Sequence, residues 1–488
     1  MLKSKVIVVL KTFSADEIKS FRNYLRSPIH NTNKKVIKLY ELIKKHHPGL
    51  DSTNIQKELL YKKLYPGKKY SDIVMRILIS DLLRLSEEFL AYQRYSKEFF
   101  AEKSFLLEEL KERKLESLFY RHIKESEQYL DKDGTMNYSY FLNRFNIESA
   151  KVNYLIASDK QDRSGSAKAS QGEYLVDFVL VNGLNILQEL HELKEVLNVK
   201  HNFSLIEIFF NNLNVDNVIN ELKLNEYKYY PVIEIYYNLY RFSKNVKSNE
   251  HFFRLKNSIV DNLKLFDDEE KFNLLLGLES CAITRIRIGM DKGQEDLMEV
   301  YELILSQKVF SGSNRKFMQA NLFRNIFYTA VILKKYDWAE KFAGEFSDYL
   351  VPEQKQDMYN YTIALLSFER EEYSKAIEYI SKVNYSFFVF KYEAKILMLK
   401  IYYELKLFEQ VLSLIDSFSH FLAKNKSVSE INKEPFNIFL KFIKQLVKLN
   451  SNLKKEDKFK SIELLKQAES SEHFISKRWI IEKIKLLK

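Results

Sequence analysis

Three short stretches in the C-terminal third open alike: Tyr336-Asp-Trp-Ala339, Tyr373-Ser-Lys-Ala376 and Phe408-Glu-Gln-Val411. Their last residues stand 37 and 35 positions apart. An aromatic residue followed three positions later by a small or β-branched one puts both on one face of a helix. The small side chain lets a neighbouring helix axis approach to about 8–10 Å. The aromatic side chain closes the preceding turn against the helix before it. The middle instance is the clearest: the run from Tyr359 to Phe368 reads as one helix, Glu371-Glu372 breaks it, and Tyr373 starts a second helix folded back on the first. A chain built this way is expected to be all-α, a superhelix (α-solenoid) of antiparallel helical hairpins behind a small N-terminal helical block.

Over residues 317–423 the spacing resembles a tetratricopeptide repeat. Ala364 supplies the small residue of a first helix, Ala376 that of a second, and Phe368 and Tyr373 the aromatic packing between them. The form is degenerate. Phe327 and Leu399 stand where Ala364 does, Val411 replaces alanine, and Glu371-Glu372 takes the place of a glycine-containing turn. The resemblance implies that the first helix of each pair lines a concave groove. Carried onto this chain, Arg324 and Tyr328, Tyr361 and Phe368, and Lys400 and Tyr403 become the candidate groove residues. Aromatic and basic groups together suit an acidic or extended peptide. The expected function is a non-enzymatic interaction scaffold with a protein or peptide partner.

Glycine (11 of 488 residues) and proline (6) are scarce, against usual shares of about 7 % and 5 %. Both residues punctuate helices, so their scarcity favours long helices with short connections. No apolar run approaches the roughly 20 residues that span a bilayer, and no membrane partner is expected. Val6 to Leu10 is too short for a secretory core of about 7–15 residues; it reads as a short strand or the start of a buried helix. Cys281 is the only cysteine, which excludes an intramolecular disulfide and suits a reducing, cytoplasmic compartment. Its neighbours Leu278, Ala282 and Ile283 mark it as a buried structural thiol.

Four segments are expected: an N-terminal block (1–95), an irregular hairpin array (96–310) with a polar loop near 158–173, the tetratricopeptide-like hairpins (311–425), and capping helices (426–488). The formal net charge of +11 is uneven. Residues 1–100 hold 20 Lys+Arg against 10 Asp+Glu, residues 101–420 hold 41 against 48, and residues 421–488 hold 16 against 8. Basic ends of this kind meet nucleic acid or acidic partners, or simply solvate helix faces.

The first block is the most punctuated. Ser14 caps a helix to about residue 26, which Ser27-Pro28 ends. Asn31 to Asn33 lead into a helix over 34–47, with Val36, Ile37, Leu39, Tyr40 and Ile43 inward. Thr53 and Gln56 form a capping-box pattern ahead of Ile55, Leu59, Leu60 and Leu64. Ser71 caps a long helix running past Tyr92. This block resembles the N-terminal block of a family of uncharacterised bacterial helical proteins, on Ser27-Pro28-Ile29-His30-Asn31, Leu64-Tyr65-Pro66-Gly67 and Tyr70-Ser71-Asp72 leading to Arg76 and Ser80-Asp81-Leu82-Leu83. The resemblance implies a helical fold and no chemistry. The same order of helices fits a helix-turn-helix module. As an alternative function, a nucleic-acid-associated regulator would use Lys68, Lys69, Arg76 and Arg84 on phosphates. Against it, Asp72, Asp81, Glu87 and Glu88 share the supposed recognition helix, and Ala91 to Phe100 continues as helix where a β-wing would be needed.

Further along, Phe105, Leu106, Leu110, Leu118, Phe119 and Ile123 are expected inward. Asp267 to Glu270 reads as an acidic helix start answering the dipole. Pro231 interrupts the helices of 203–265, and Pro435 opens a helix in the tail. Ser164-Gly165-Ser166 lacks the preceding strand and following lysine of a phosphate loop. His46 and His47 are adjacent and diverge on a helix, and His191-Glu-Leu-Lys-Glu195 lacks a second histidine for zinc. No catalytic residue, cofactor or metal is expected.

Overall fold

In a computed structural model of the chain, the described residues are 4–50, 55–133, 135–197, 204–310, 316–384, 388–424, 430–451, 457–471 and 474–487. They form 24 α-helices and no strand, so the all-α expectation holds. No helix among them is long and apolar enough to cross a membrane. The chain divides into two compact units, Met1–Gly134 with Tyr138–Phe178, and Thr135–Asn137 with Val179–Lys488.

The first unit opens with α1 (Lys5–Lys11), α2 (Ala15–Arg26), α3 (Lys34–Ile43), α4 (Lys57–Leu64) and α5 (Asp72–Tyr95). Val6 to Leu10 is therefore helical; Val6, Ile7 and Leu10 are buried, and α1 packs on α5. Ser14 and Glu17 make a reciprocal capping box at α2. The core is aromatic: the Phe21 ring lies 5.5 Å from Phe13, 5.0 Å from Tyr40 and 5.1 Å from Phe89. Such contacts add about 0.5–1.5 kcal/mol each beyond burial. Asn31, from the Ser-Pro-Ile-His-Asn stretch, ties the loop by donating to Leu25 O at 2.9 Å and accepting from Asn33 N at 3.0 Å.

Local expectations are adjusted here. Thr53 lies outside the described residues, and α4 starts with Gln56 as its N-cap. Tyr61 is buried in α4, whereas Leu59 is exposed, because the helix phase is set by Leu60 and Leu64. Ser71 caps α5 as expected, accepting from Val74 N. That helix ends at Tyr95, and α6 (Phe99–Glu112) follows after a turn. With α7 (Glu116–Asp133) and α8 (Tyr138–Ala157) it forms a three-helix group. Leu107 and Leu110 are its buried α6 residues, while Phe105 and Leu118 are exposed; in these lysine- and glutamate-rich helices more apolar residues are present than the inner face can hold.

The polar stretch 158–173 is not a long loop. A short 3-10 turn, Gln161–Arg163, leads directly into α9 (Gly165–Leu197). Ala167, Ala169, Gln171 and Glu173 are good helix formers, and their polarity reflects an outward face. The unit boundary falls inside α9.

The second unit continues with α10 (Leu205–Asn212), α11 (Val215–Leu224), α12 (Tyr230–Lys244), α13 (Asn249–Asn262), α14 (Asp268–Arg287) and α15 (Gly293–Ser306). Pro231 does not interrupt a helix but sits in the first turn of α12, where a missing N–H costs nothing. Gly183 on α9 admits the Phe210 ring so closely that a Cβ would lie 2.7 Å from it. Asp267 caps α14 by accepting from Glu270 N at 2.8 Å. Glu270 itself turns inward to Tyr236, which donates to it at 2.9 Å. Three hairpins follow: α16 (Ala320–Ile332) with α17 (Tyr336–Phe346), α18 (Pro352–Glu369) with α19 (Tyr373–Ile380), and α20 (Phe388–Glu404) with α21 (Phe408–Lys424). The tail is α22 (Glu430–Ser451), α23 (Asp457–Ser470) and α24 (Lys477–Lys485). Pro435 lies inside α22, five residues after its start. The core of α20 and α21 runs on without a break into the tail.

The three aromatic openings are each the first residue of a second helix, and Ala339, Ala376 and Val411 are fully buried. In each hairpin the residue two before that opening adopts a left-handed conformation: Lys334, Glu371 and Lys406 have φ of 57°, 62° and 57°. The next N–H reaches back to the first helix, Lys335 to Ala330 O, Glu372 to Ser367 O and Leu407 to Tyr402 O, at 2.8–2.9 Å. This is the hydrogen bonding of a Schellman turn, made here without glycine.

Candidate binding site on the first helices of the hairpins

Helices α16, α18 and α20 each pack on their own partner, and α18 also packs on both α16 and α20. The six residues singled out in the sequence lie on these helices and sort into two clusters. In the first, Arg324 on α16 donates to Glu393 on α20 at 2.8 Å and to Asn325 at 3.1 Å. Tyr328 and Tyr361 share a hydrogen bond between their hydroxyls, and the Tyr361 hydroxyl donates to the other oxygen of Glu393 at 3.5 Å. Burial pushes the Tyr361 hydroxyl well above its ordinary value, reinforced by Tyr328 and Glu393. Burial also raises Glu393, against the opposing pull of Arg324. The network extends beyond the hairpins: Tyr301 on α15 donates to Glu279 on α14 at 2.7 Å, and Asn325 also hydrogen-bonds Glu279.

The second cluster gathers around Lys400. Its ammonium stands 4.5 Å from the Phe368 ring centre and 5.7 Å from that of Trp479. The carboxylate of Glu404, one turn on, is already engaged by Lys483 at 2.7 Å and by the Trp479 indole N–H at 3.0 Å. Lys400 therefore has aromatic faces but no ion pair within 4 Å among the described residues. Removal from water holds its pKa below the ordinary lysine value, although Glu369 and Glu404 pull the other way. Tyr403 stacks edge-on against Trp479 at 5.4 Å and accepts from Asn450 at 3.3 Å. The turn-closing role expected of the aromatics is seen in Phe368 with Tyr373, 5.6 Å apart, and in Tyr403 with Phe408, 6.0 Å apart.

The structure corrects part of the groove assignment. Tyr361, Phe368 and Tyr403 are buried; they pack between helices and offer no side-chain surface to a ligand. Arg324, Tyr328 and Lys400 keep part of theirs in solvent. Glu393, Glu404, Trp479 and Lys483 belong to the same face and were not picked out from sequence. Glu393 is seven residues before Lys400, two helical turns along one face, and that spacing was the available signal; nothing in the sequence pairs Trp479 with α20.

In the N-terminal block, Lys68 and Lys69 are exposed. Arg76 pairs with Asp72 at 2.6 Å and Arg84 with Glu88 at 2.5 Å, each on its own helix. No group of three or more His, Cys, Asp or Glu among the described residues is arranged to hold a metal ion. His47 instead meets the Phe13 carbonyl at 2.8 Å, and His30 stacks on Tyr24 at 3.9 Å. Comparison with protein-family models, with curated proteins and with solved structures finds no match.

Proposed function

We propose that the hairpins α16 to α21 form a tetratricopeptide-like superhelical segment whose first helices receive an acidic, extended peptide from a protein partner. The observation that carries this reading is Lys400: a partly desolvated ammonium flanked by aromatic rings, with no ion pair within 4 Å among the described residues and with Glu404, one turn on, held by Lys483. Such a group lacks an anion, and a glutamate, an aspartate or a terminal carboxylate from a partner supplies one. The Arg324–Glu393 bond supports a concave face, because it joins α16 to α20 past the intervening α18. On this reading the protein is a binding scaffold and not an enzyme.

The test is binding of the full chain to an array of acidic, neutral and basic peptides. Retention on acidic peptides that is lost in Lys400→Glu and kept in Arg76→Glu supports the groove. Equal retention on all three classes, or an unaffected Lys400→Glu variant, overturns it. The nucleic-acid reading draws less support, since Arg76 and Arg84 spend their charge on neighbouring carboxylates.

A further inference from the structure

Away from the hairpins, α9, α12 and α14 enclose a half-open cavity of about 260 Å³ in the second unit. Its wall is mostly apolar, with Phe242, Val246 and Ile288 around the buried Cys281. Among the described lining residues the charged or basic groups are Arg287 and His191, and none of those residues is a carboxylate. Neither Arg287 nor His191 has a hydrogen bond or ion pair among the described residues, and Arg287 is exposed at the rim. An apolar cavity with a few convergent polar groups is the general form of a small-molecule site. Its size falls just below the range of roughly 300–1,000 Å³ for such sites, which selects a short ligand. Cationic and donor groups without an acid select an anionic head.

We propose that this cavity binds a short, apolar-bodied carboxylate, its chain against Phe242, Val246 and Ile288 and its head group on Arg287 with His191 beside it. The site is separate from the first-helix face and stands or falls independently of the peptide-binding reading.

The experiment is calorimetric titration of the full chain with octanoate, and with octan-1-ol as the uncharged counterpart. Octanoate is expected to bind at a single saturable site, with octan-1-ol about tenfold weaker or more, because a charge-assisted contact is lost. Arg287→Ala is expected to weaken octanoate by a similar factor, and Ile288→Trp, which blocks the mouth, to abolish binding. Both positions are exposed, so the variants keep the fold, as circular dichroism checks. No saturable heat with octanoate, equal affinity for octan-1-ol, or undiminished binding by Arg287→Ala overturns the proposal.

Discussion

Arg324 and Glu393 meet at 2.8 Å although they belong to the first and third of three successive hairpins. Their side chains are only 20 % and 28 % exposed, so the pair is poorly screened and each partner depends on the other. Arg324→Ala leaves Glu393 desolvated beside the Tyr361 hydroxyl with no cation. Denaturant unfolding should show a loss of about 1–3 kcal/mol. The double variant Arg324→Ala/Glu393→Gln should lose less than the two single losses added together, since the second change removes the stranded charge. Additive losses would mean that the pair contributes nothing as a pair.

Glu371 occupies the left-handed turn between α18 and α19 with φ of 62°. A side chain there costs about 1–2 kcal/mol, while glycine gives back roughly 0.5–1 kcal/mol through the freedom of its unfolded chain. The balance favours Glu371→Gly by about 0.5 kcal/mol. Glu371→Val should be destabilised instead, because β-branching is least tolerated at positive φ. Urea midpoints of the two variants should move in opposite directions, and a shared direction would show that another interaction of Glu371 dominates.

How much of this was legible in the sequence follows from the range of each interaction. Caps and small-residue contacts are local, so Ser14, Ser71, Asp267, Ala339 and Ala376 could be placed from a few neighbours. The left-handed turns were harder, because Lys334, Glu371 and Lys406 are not residues that announce such a conformation. Outward polarity hid the start of α9: a helix whose first turns face solvent looks like a loop when only apolar periodicity is read. The site was least legible. Whether Tyr361 points into a groove or between helices depends on α16 and α20, and Lys400 is framed by Trp479, 79 residues later in the chain.

Glu279 is buried, and desolvation raises its pKa despite the hydrogen bonds from Tyr301 and Asn325. A carboxyl group whose folded pKa lies above its unfolded value binds its proton more tightly when folded. Its penalty is absent below the ordinary value of 4.5 and grows as pH rises through that value towards the folded pKa. Glu279→Gln keeps an acceptor for Tyr301 and carries no charge. Relative to the wild type, the variant should gain stability between pH 4 and pH 7, with the difference level above the folded pKa. Unfolding curves across that range check it; a constant difference would place the titrating group elsewhere.

Lys400 offers a sharper separation of stability from binding. Its ammonium is taken from water with no carboxylate of its own, a cost that the Phe368 and Trp479 faces offset only in part. Methionine has a similar length, no charge, and suits a sulfur contact with the same rings. Lys400→Met should therefore be more stable than the wild type at neutral pH, by about 1 kcal/mol. The sign with pH follows from the lowered lysine pKa: the folded state sheds its proton first, so the wild type should regain ground on the variant as pH rises through the folded value towards 10.5. The same substitution should abolish retention on acidic peptides. A residue whose removal strengthens the fold and ends binding is held for its ligand, whereas a Lys400→Met variant that is less stable would make Lys400 a packing residue.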